Sequence, residues 1–167
     1  MPVNSLKPSN LNPPPTRCVL SLDMASKTGW CLRREEGSWE SGVQDFSLKR
    51  GESAGMRFIR FRVWLEEVIR LEDVGLIVYE MPHLRGGAST TVLVGLETRV
   101  HEVAAVQGIE FTKVHSSTIK KLVTGSGRAS KKEVMAWAEI ELGRPPIDDN
   151  EADAIAMMYW AVDEFRL

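Results

Sequence analysis

Arg17-Cys-Val-Leu-Ser-Leu-Asp23-Met-Ala-Ser-Lys-Thr28-Gly29-Trp-Cys-Leu-Arg33 decides how the chain is read. Arg17–Asp23 is a short β-rich run ending in an acid, and Thr28–Arg33 is the next strand after a turn at Met24–Lys27. Trp39–Ser47 supplies a third strand, so the segment predicts an antiparallel meander. Leu76-Ile-Val-Tyr-Glu80 is again a strand with an acid at its end, and Ile109–Val114 is a fifth. Gly29, with the hydroxyls of Ser26 and Thr28 nearby, is read as part of a flexible, phosphate-contacting turn.

Helices fill the intervals. Glu52–Leu71 has an inward side of Met56, Ile59 and Val63, extended by Phe58, Leu65 and Ile69. Pro82–Gly87 is a loop. Ser89–Gln107 is helical, with Val94, Val100, Val103, Ala104 and Val106 giving faces for both a sheet and a partner. Ser116–Val123 is a short helix capped by Ser116, ended by Gly125-Ser-Gly127. Ser130 starts another helix through Leu142, and the last begins near Asp149. Strands first, then strands alternating with helices, predict a mixed α/β sandwich. Residues 1–16 carry five prolines among polar neighbours and read as an extended or disordered leader, leaving residues 17–167 as one domain.

At 167 residues, 43% hydrophobic and 26% charged, the composition is that of a soluble globular protein with a sizeable core. No membrane-length run and no secretory plan is present, so a cytoplasmic location is expected. Cys18 and Cys31 have no metal-ligand spacing, which argues against structural zinc. The net charge of −2 argues against an indiscriminately basic nucleic-acid binder, but it conceals a pattern. Phe111–Lys132 holds six basic residues (Lys113, Lys120, Lys121, Arg128, Lys131, Lys132) and no acid. From Glu133 onward there are nine acids and two basic residues. A phosphate-binding surface beside a metal-holding one has this charge layout, as does a solvated face.

The acids are specific in place. Asp149 and Asp153 stand four apart on one face of an otherwise apolar helix, where like charges repel unless a cation or solvent separates them. With Asp23 and Glu80 at strand ends, they outline an oxygen-rich pocket suited to Mg²⁺ or Mn²⁺. Bland readings compete: Asp23 capping its turn, Glu80 pairing with Arg85, His101 as a structural helix residue, His115 as a turn residue. The five tryptophans are read as core or interface groups.

Leu-Ser-Leu-Asp23, Thr28-Gly29-Trp, Leu-Ile-Val-Tyr-Glu80, Thr118-Ile-Lys120-Lys-Leu-Val-Thr-Gly125-Ser-Gly127-Arg-Ala-Ser-Lys131-Lys and Glu151-Ala-Asp153-Ala-Ile-Ala carry a resemblance. Together they resemble the RuvC-type Holliday-junction resolvases of bacteria and their phages, within the RNase H-like superfamily. The matching pieces run from Cys18 to Tyr159, and the lysine-glycine segment is the most discriminating. The resemblance implies an RNase H-like fold with a five-stranded mixed sheet flanked by helices. It implies a homodimeric endodeoxyribonuclease using Mg²⁺, with Mn²⁺ substituting, two ions per active site, and making paired cuts in four-way DNA junctions. Asp23, Glu80 and Asp153 correspond to metal ligands, Lys120 and Lys131 to phosphate-contacting lysines, and the helix over about 89–107 to the dimer interface. Lys27, His83, Arg85, His115, Lys121, Arg128 and Lys132 are the further DNA-contacting candidates.

Two departures stand out. The family places its fourth ligand three residues before the last aspartate, where this chain has Asn150; Asp149 is the preferred fourth ligand and Asn150 its rival. His83 follows Pro82 where relatives offer an aromatic to the junction core. Alternative readings are a relaxed nuclease for flaps and other branched DNA, and a catalytically weak junction-binding protein. A phage origin, which would place the protein in a bacterial host's cytoplasm, fits these departures. An actin-like phosphotransferase shares the broad fold but needs a second domain.

Overall fold

The computed structural model describes residues 17–82 and 86–167. The strands are β1 (Cys18–Asp23), β2 (Lys27–Arg33), β3 (Trp39–Asp45), β4 (Val74–Glu80) and β5 (Glu110–Val114). The helices are α1 (Gly55–Glu72), α2 (Ala88–Gln107), α3 (Ser116–Thr124), α4 (Lys131–Leu142) and α5 (Asp149–Phe165). One five-stranded sheet has the order β3-β2-β1-β4-β5. β1, β2 and β3 form the antiparallel meander, and β4 and β5 join β1 in parallel.

Strand alternation sorts the side chains into two layers. Leu20 and Leu22 of β1, Leu32 of β2, and Ile77 and Tyr79 of β4 pack with Phe61, Leu65 and Ile69 of α1 and Leu96, Val100 and Val103 of α2. Val19, Cys31, Leu76, Val78 and Val114 pack on the opposite side with α3, α4 and α5. The same alternation carries Ser21 and Asp23 of β1 and Glu80 of β4 to the α5 side. The last paired couple of β1 and β4 is Leu22 beside Tyr79, so Asp23 and Glu80 follow together at one sheet edge.

α5 is the most buried helix, with Ala152, Ala154, Ile155, Ala156, Met157, Met158 and Ala161 all inside. Its first turn lies so close to β2 that a Cβ on Gly29 would stand 1.9 Å from the Asn150 carbonyl oxygen. Gly29 is therefore a residue of regular strand, paired with Asp23 and Val43, rather than part of a flexible phosphate turn. Only hydrogen in place of a side chain permits the approach. The turn before it is closed by Thr28, whose hydroxyl donates to the Ala25 carbonyl at 2.8 Å.

Three local expectations are corrected. α1 begins at Gly55, and its inward line is Phe61, Leu65 and Ile69; Ile59 and Val63 are 51% and 52% exposed. The inward line follows the helical repeat from Phe61, placing Ile59 and Val63 on another face. The N-cap of α3 is His115, not Ser116, and no side chain closes that cap. On α2, Val100, Val103 and Ala104 are buried, whereas Val94 and Val106 face solvent. Among the tryptophans, Trp39 is exposed and Trp30, Trp64, Trp137 and Trp160 are half-buried. The expected start of α4 holds in detail: Ser130 and Glu133 form a reciprocal capping box. The leader, His83, Leu84 and Arg85 lie outside the described residues. Among the described residues, no helix is long and apolar enough to cross a membrane.

Replacing Gly29 with Ala forces β2 and α5 apart. Overpacking of this kind costs about 1–3 kcal/mol, which lowers the melting temperature by about 3–10 °C in a domain of this size. A thermal melt of G29A checks this, and an unchanged midpoint contradicts the close seating of α5.

Candidate active site

The sheet edge that carries Asp23 and Glu80 is roofed by the first turns of α5. Asp148 is the N-cap of this helix and accepts from the Glu151 backbone N–H at 3.1 Å. Asp149 opens the helix and Asp153 follows one turn later, both turned toward the sheet-edge acids. Burial pushes the Asp23 carboxyl well above the usual carboxylate range, and repulsion from Asp153, Glu80 and Asp149 adds to this, in that order. Burial, then Glu80 and Asp149, likewise push Asp153 up to about 6. The structure thus brings Asp23, Glu80, Asp149 and Asp153 within electrostatic reach of one another.

Lysines face the same acids. Lys131, the first residue of α4, donates to Asp149 Oδ2 in an ion pair. That bond holds the Asp149 carboxyl below its usual range, against an opposing effect of burial, and holds the Lys131 ammonium above its own. Lys120 of α3 and Lys131 both draw Asp153 back down, but less than the acids raise it. The Asn150 side chain faces elsewhere: its amide donates to Asp148 Oδ2 at 3.3 Å. Lys27, His115, Lys121, Arg128 and Lys132 are all exposed. Among the described residues, no three His, Cys, Asp or Glu side chains are gathered tightly enough to hold a metal ion as they stand. Mutual repulsion favours such spacing, and Asp149 is engaged by Lys131.

A second acid in this helix, Glu151, has a different task. It is fully buried yet accepts two bonds from Arg144, at 2.6 and 3.2 Å, one from the Ile147 N–H at 2.6 Å and one from Ser41 Oγ at 2.7 Å. Burial pushes the carboxyl up, but these donors outweigh it and leave it below its usual range. The Arg144–Asp148 loop is thereby tied to β3. Ser21 adds a tie from β1, donating to the Ala154 carbonyl at 2.7 Å. Sequence reading gave neither residue a role of its own. A signal for Glu151 exists, because it leads the helical series Glu151, Ile155, Met158, whose other members are core. His101 takes its structural role: its Nε2 lies 2.7 Å from the Tyr79 hydroxyl, and its ring stacks on Phe111.

A β3-β2-β1-β4-β5 sheet with an acid-lined edge, roofed by a helix that contributes two further acids, is an RNase H-like fold. The solved Thermus thermophilus RuvC in complex with Holliday junction substrate has this fold, with a TM-score of 0.71 over 89% of this chain and 97% of that one, at 19% identity. The crossover junction endodeoxyribonuclease RuvC of Rubrobacter xylanophilus is 29% identical over 145 residues, covering 83% of this chain and 81% of the relative. That of Protochlamydia amoebophila is 28% identical over 146 residues, covering 83% and 86%. No protein-family model matches the chain. Over most of its length the chain is thus similar in sequence to RuvC proteins and shares their fold.

The raised acids make a signed pH prediction for the metal-free protein. A carboxyl whose folded pKa exceeds its unfolded value binds its proton more tightly when folded. Its contribution is complete at low pH and is lost as pH rises through the folded pKa, which for Asp153 is about 6. Asp153→Asn removes that loss. Its melting temperature should exceed that of the wild type at a pH of about 7.5 by several degrees and converge with it near about pH 4. Thermal melts of both proteins across this range check it; a constant offset at all pH values contradicts it.

Proposed function

We propose that this protein is a divalent-metal-dependent endodeoxyribonuclease that resolves four-way DNA junctions. The observation that carries the reading is the convergence of Asp23, Glu80, Asp149 and Asp153 with Lys120 and Lys131 at one sheet edge. The junction-resolving relatives, 28–29% identical over most of their length, support the substrate class.

The donor set fits hard cations. Several carboxylates gathered where burial and repulsion disfavour their charge are stabilised by a divalent ion such as Mg²⁺ or Mn²⁺. Asp23, Glu80, Asp153 and Asp149 would hold two such ions, with Asp149 exchanging its bond to Lys131 for this role. Bound there, Mg²⁺ or Mn²⁺ supplies Lewis-acid polarisation of the phosphodiester and activation of water for attack. Lys120 and Lys131 stabilise negative charge gathering on the phosphate as the bond to the leaving oxygen breaks, the stage at which fixed electrostatics contributes most. The exposed Lys27, His115, Lys121, Arg128 and Lys132 take phosphates along the adjoining DNA.

Paired cuts require two sites related by symmetry. The α1–α2 layer leaves Ile59, Val63, Val94 and Val106 exposed, and we assign the homodimer contact to α2 within this layer. Asp149, rather than Asn150, completes the acidic set, because Asp149 acts electrostatically on Asp23 and Asp153 while the Asn150 side chain bonds Asp148.

The test is cleavage of a mobile four-way junction beside duplex, flap and three-way substrates, with Mg²⁺, Mn²⁺ or Ca²⁺. The four-way junction should be cut in Mg²⁺ or Mn²⁺ with paired nicks. Asp23→Ala and Glu80→Ala should lose cutting by about a thousandfold or more while retaining junction binding in a gel shift. Preferential cutting of flaps would overturn the substrate assignment, and metal-dependent cutting by D23A would overturn the site. Asp149→Ala should reduce cutting far more than Asn150→Ala; the reverse order makes Asn150 the fourth ligand.

A further inference from the structure

The edge that carries Asp23 also carries the end of β3. Asp23 pairs with Gly29, Gly29 pairs with Val43, and the final β2–β3 couple is Lys27 beside Asp45. The connection from Asp45 to Gly55 therefore leaves the sheet at the same edge, two strands or about 10 Å across from Asp23 and two residues further along than Val43. It is a built loop. The Phe46 N–H donates to the Ser26 carbonyl at 2.7 Å, and its ring packs edge-on against Phe61 and Trp64. The Lys49–Glu52 turn is closed twice, by Glu52 N–H to the Lys49 carbonyl at 3.1 Å and by Lys49 N–H to the Glu52 carboxylate at 2.7 Å. Gly51 supplies the left-handed backbone, φ +84°, that the turn requires.

The acids of this loop have partners within it or on α1. Asp45 accepts from the Ser47 N–H at 2.8 Å beside Lys27, and Glu52 is ion-paired to Arg60. Arg57 and Arg60 are held underneath, donating to the Phe46 and Ser47 carbonyls at 3.3 Å. Both acids are thus engaged in holding the loop. Lys49 and Arg50 are left exposed at its tip.

We propose that Lys49 and Arg50 bind the phosphate backbone of the DNA arm leaving the cut site on the β3 side, opposite the Lys120–Lys132 segment. This inference rests on the junction-nuclease reading. Phosphates along one strand recur about every 3.4 Å of helix axis, so a contact beyond about 10 Å lies roughly three or more nucleotides from the reacting phosphate. A pre-ordered tip loses little conformational freedom on binding, and paired internal acids do not repel the strand. Arginine adds bidentate phosphate geometry to the point charge of lysine.

The test measures binding of wild type, K49Q/R50Q and R70Q to a four-way junction in Ca²⁺, from about 50 to about 200 mM salt. Arg70 is exposed near the end of α1 and controls for net charge. The double variant should bind about tenfold or more weaker at low salt, with its salt slope shallower by about two, while R70Q follows the wild type. Because Lys49 and Arg50 are exposed, its melting temperature should match the wild type, and the same melts confirm the fold. Wild-type binding with an unchanged affinity and slope in K49Q/R50Q overturns this contact alone. An R70Q slope change as large per charge also overturns it, reducing the effect to net charge. Absence of salt-dependent junction binding by the wild type overturns the contact and the proposed substrate together.

Discussion

The seating of one helix turn on one strand pair governs the rest of this structure. Gly29 admits the Asn150 carbonyl at a separation where any Cβ would collide, and Ser21 fastens the Ala154 carbonyl from the next strand. Glu151, buried and four times hydrogen-bonded, ties the preceding loop to β3. These contacts fix α5 to β1, β2 and β3 at three points. Asp149 and Asp153 are then carried over Asp23 and Glu80, although the charges themselves oppose that approach.

Packing and electrostatics therefore pull in opposite directions at this edge. The buried side of α5 places seven apolar side chains in the core, a contribution of several kcal/mol by area. Asp23 and Asp153 beside it are raised by burial and by repulsion from their acidic neighbours, with only partial relief from Lys131 and, for Asp153, Lys120. Such local conflict with stability is common where chemistry is performed. A divalent cation would relieve it, and so would protonation. Glu151 shows that the protein can hold a buried carboxylate comfortably when enough donors surround it. The contrast within one helix is between Glu151, whose donors outweigh its burial, and Asp153, whose burial and acidic neighbours outweigh the pull of Lys120 and Lys131.

Much of the fold was legible because period-two alternation and cap chemistry are local. The meander, the acid-ended strands, the helix start at Ser130 and the helix starting near Asp149 all followed from nearby residues. The convergence of Asp23, Glu80 and Asp153 was legible as strand-end and helix-start positions, sharpened by the resemblance to RuvC. Gly29 was misread because its reason lies more than a hundred residues away, in the Asn150 carbonyl. Ile59 and Val63 were misplaced because an amphipathic helix rich in apolar residues offers more than one plausible stripe. Glu151 passed unnoticed because its partners, Ser41 and Arg144, belong to other elements. The basic tip at Lys49 and Arg50 was equally invisible, since a loop's direction depends on the sheet register beneath it.

The proposed function depends on a divalent cation binding among these acids. The most direct measurement is the thermal stability of the metal-free protein and of Asp23→Asn as Mn²⁺ is added near neutral pH. Ligand that binds only the folded state stabilises it in proportion to the logarithm of its concentration above Kd. The wild-type melting temperature should rise with the logarithm of Mn²⁺ concentration above its Kd, with the rise sharply reduced in D23N. Equal responses of the two proteins, or none in the wild type, would contradict it.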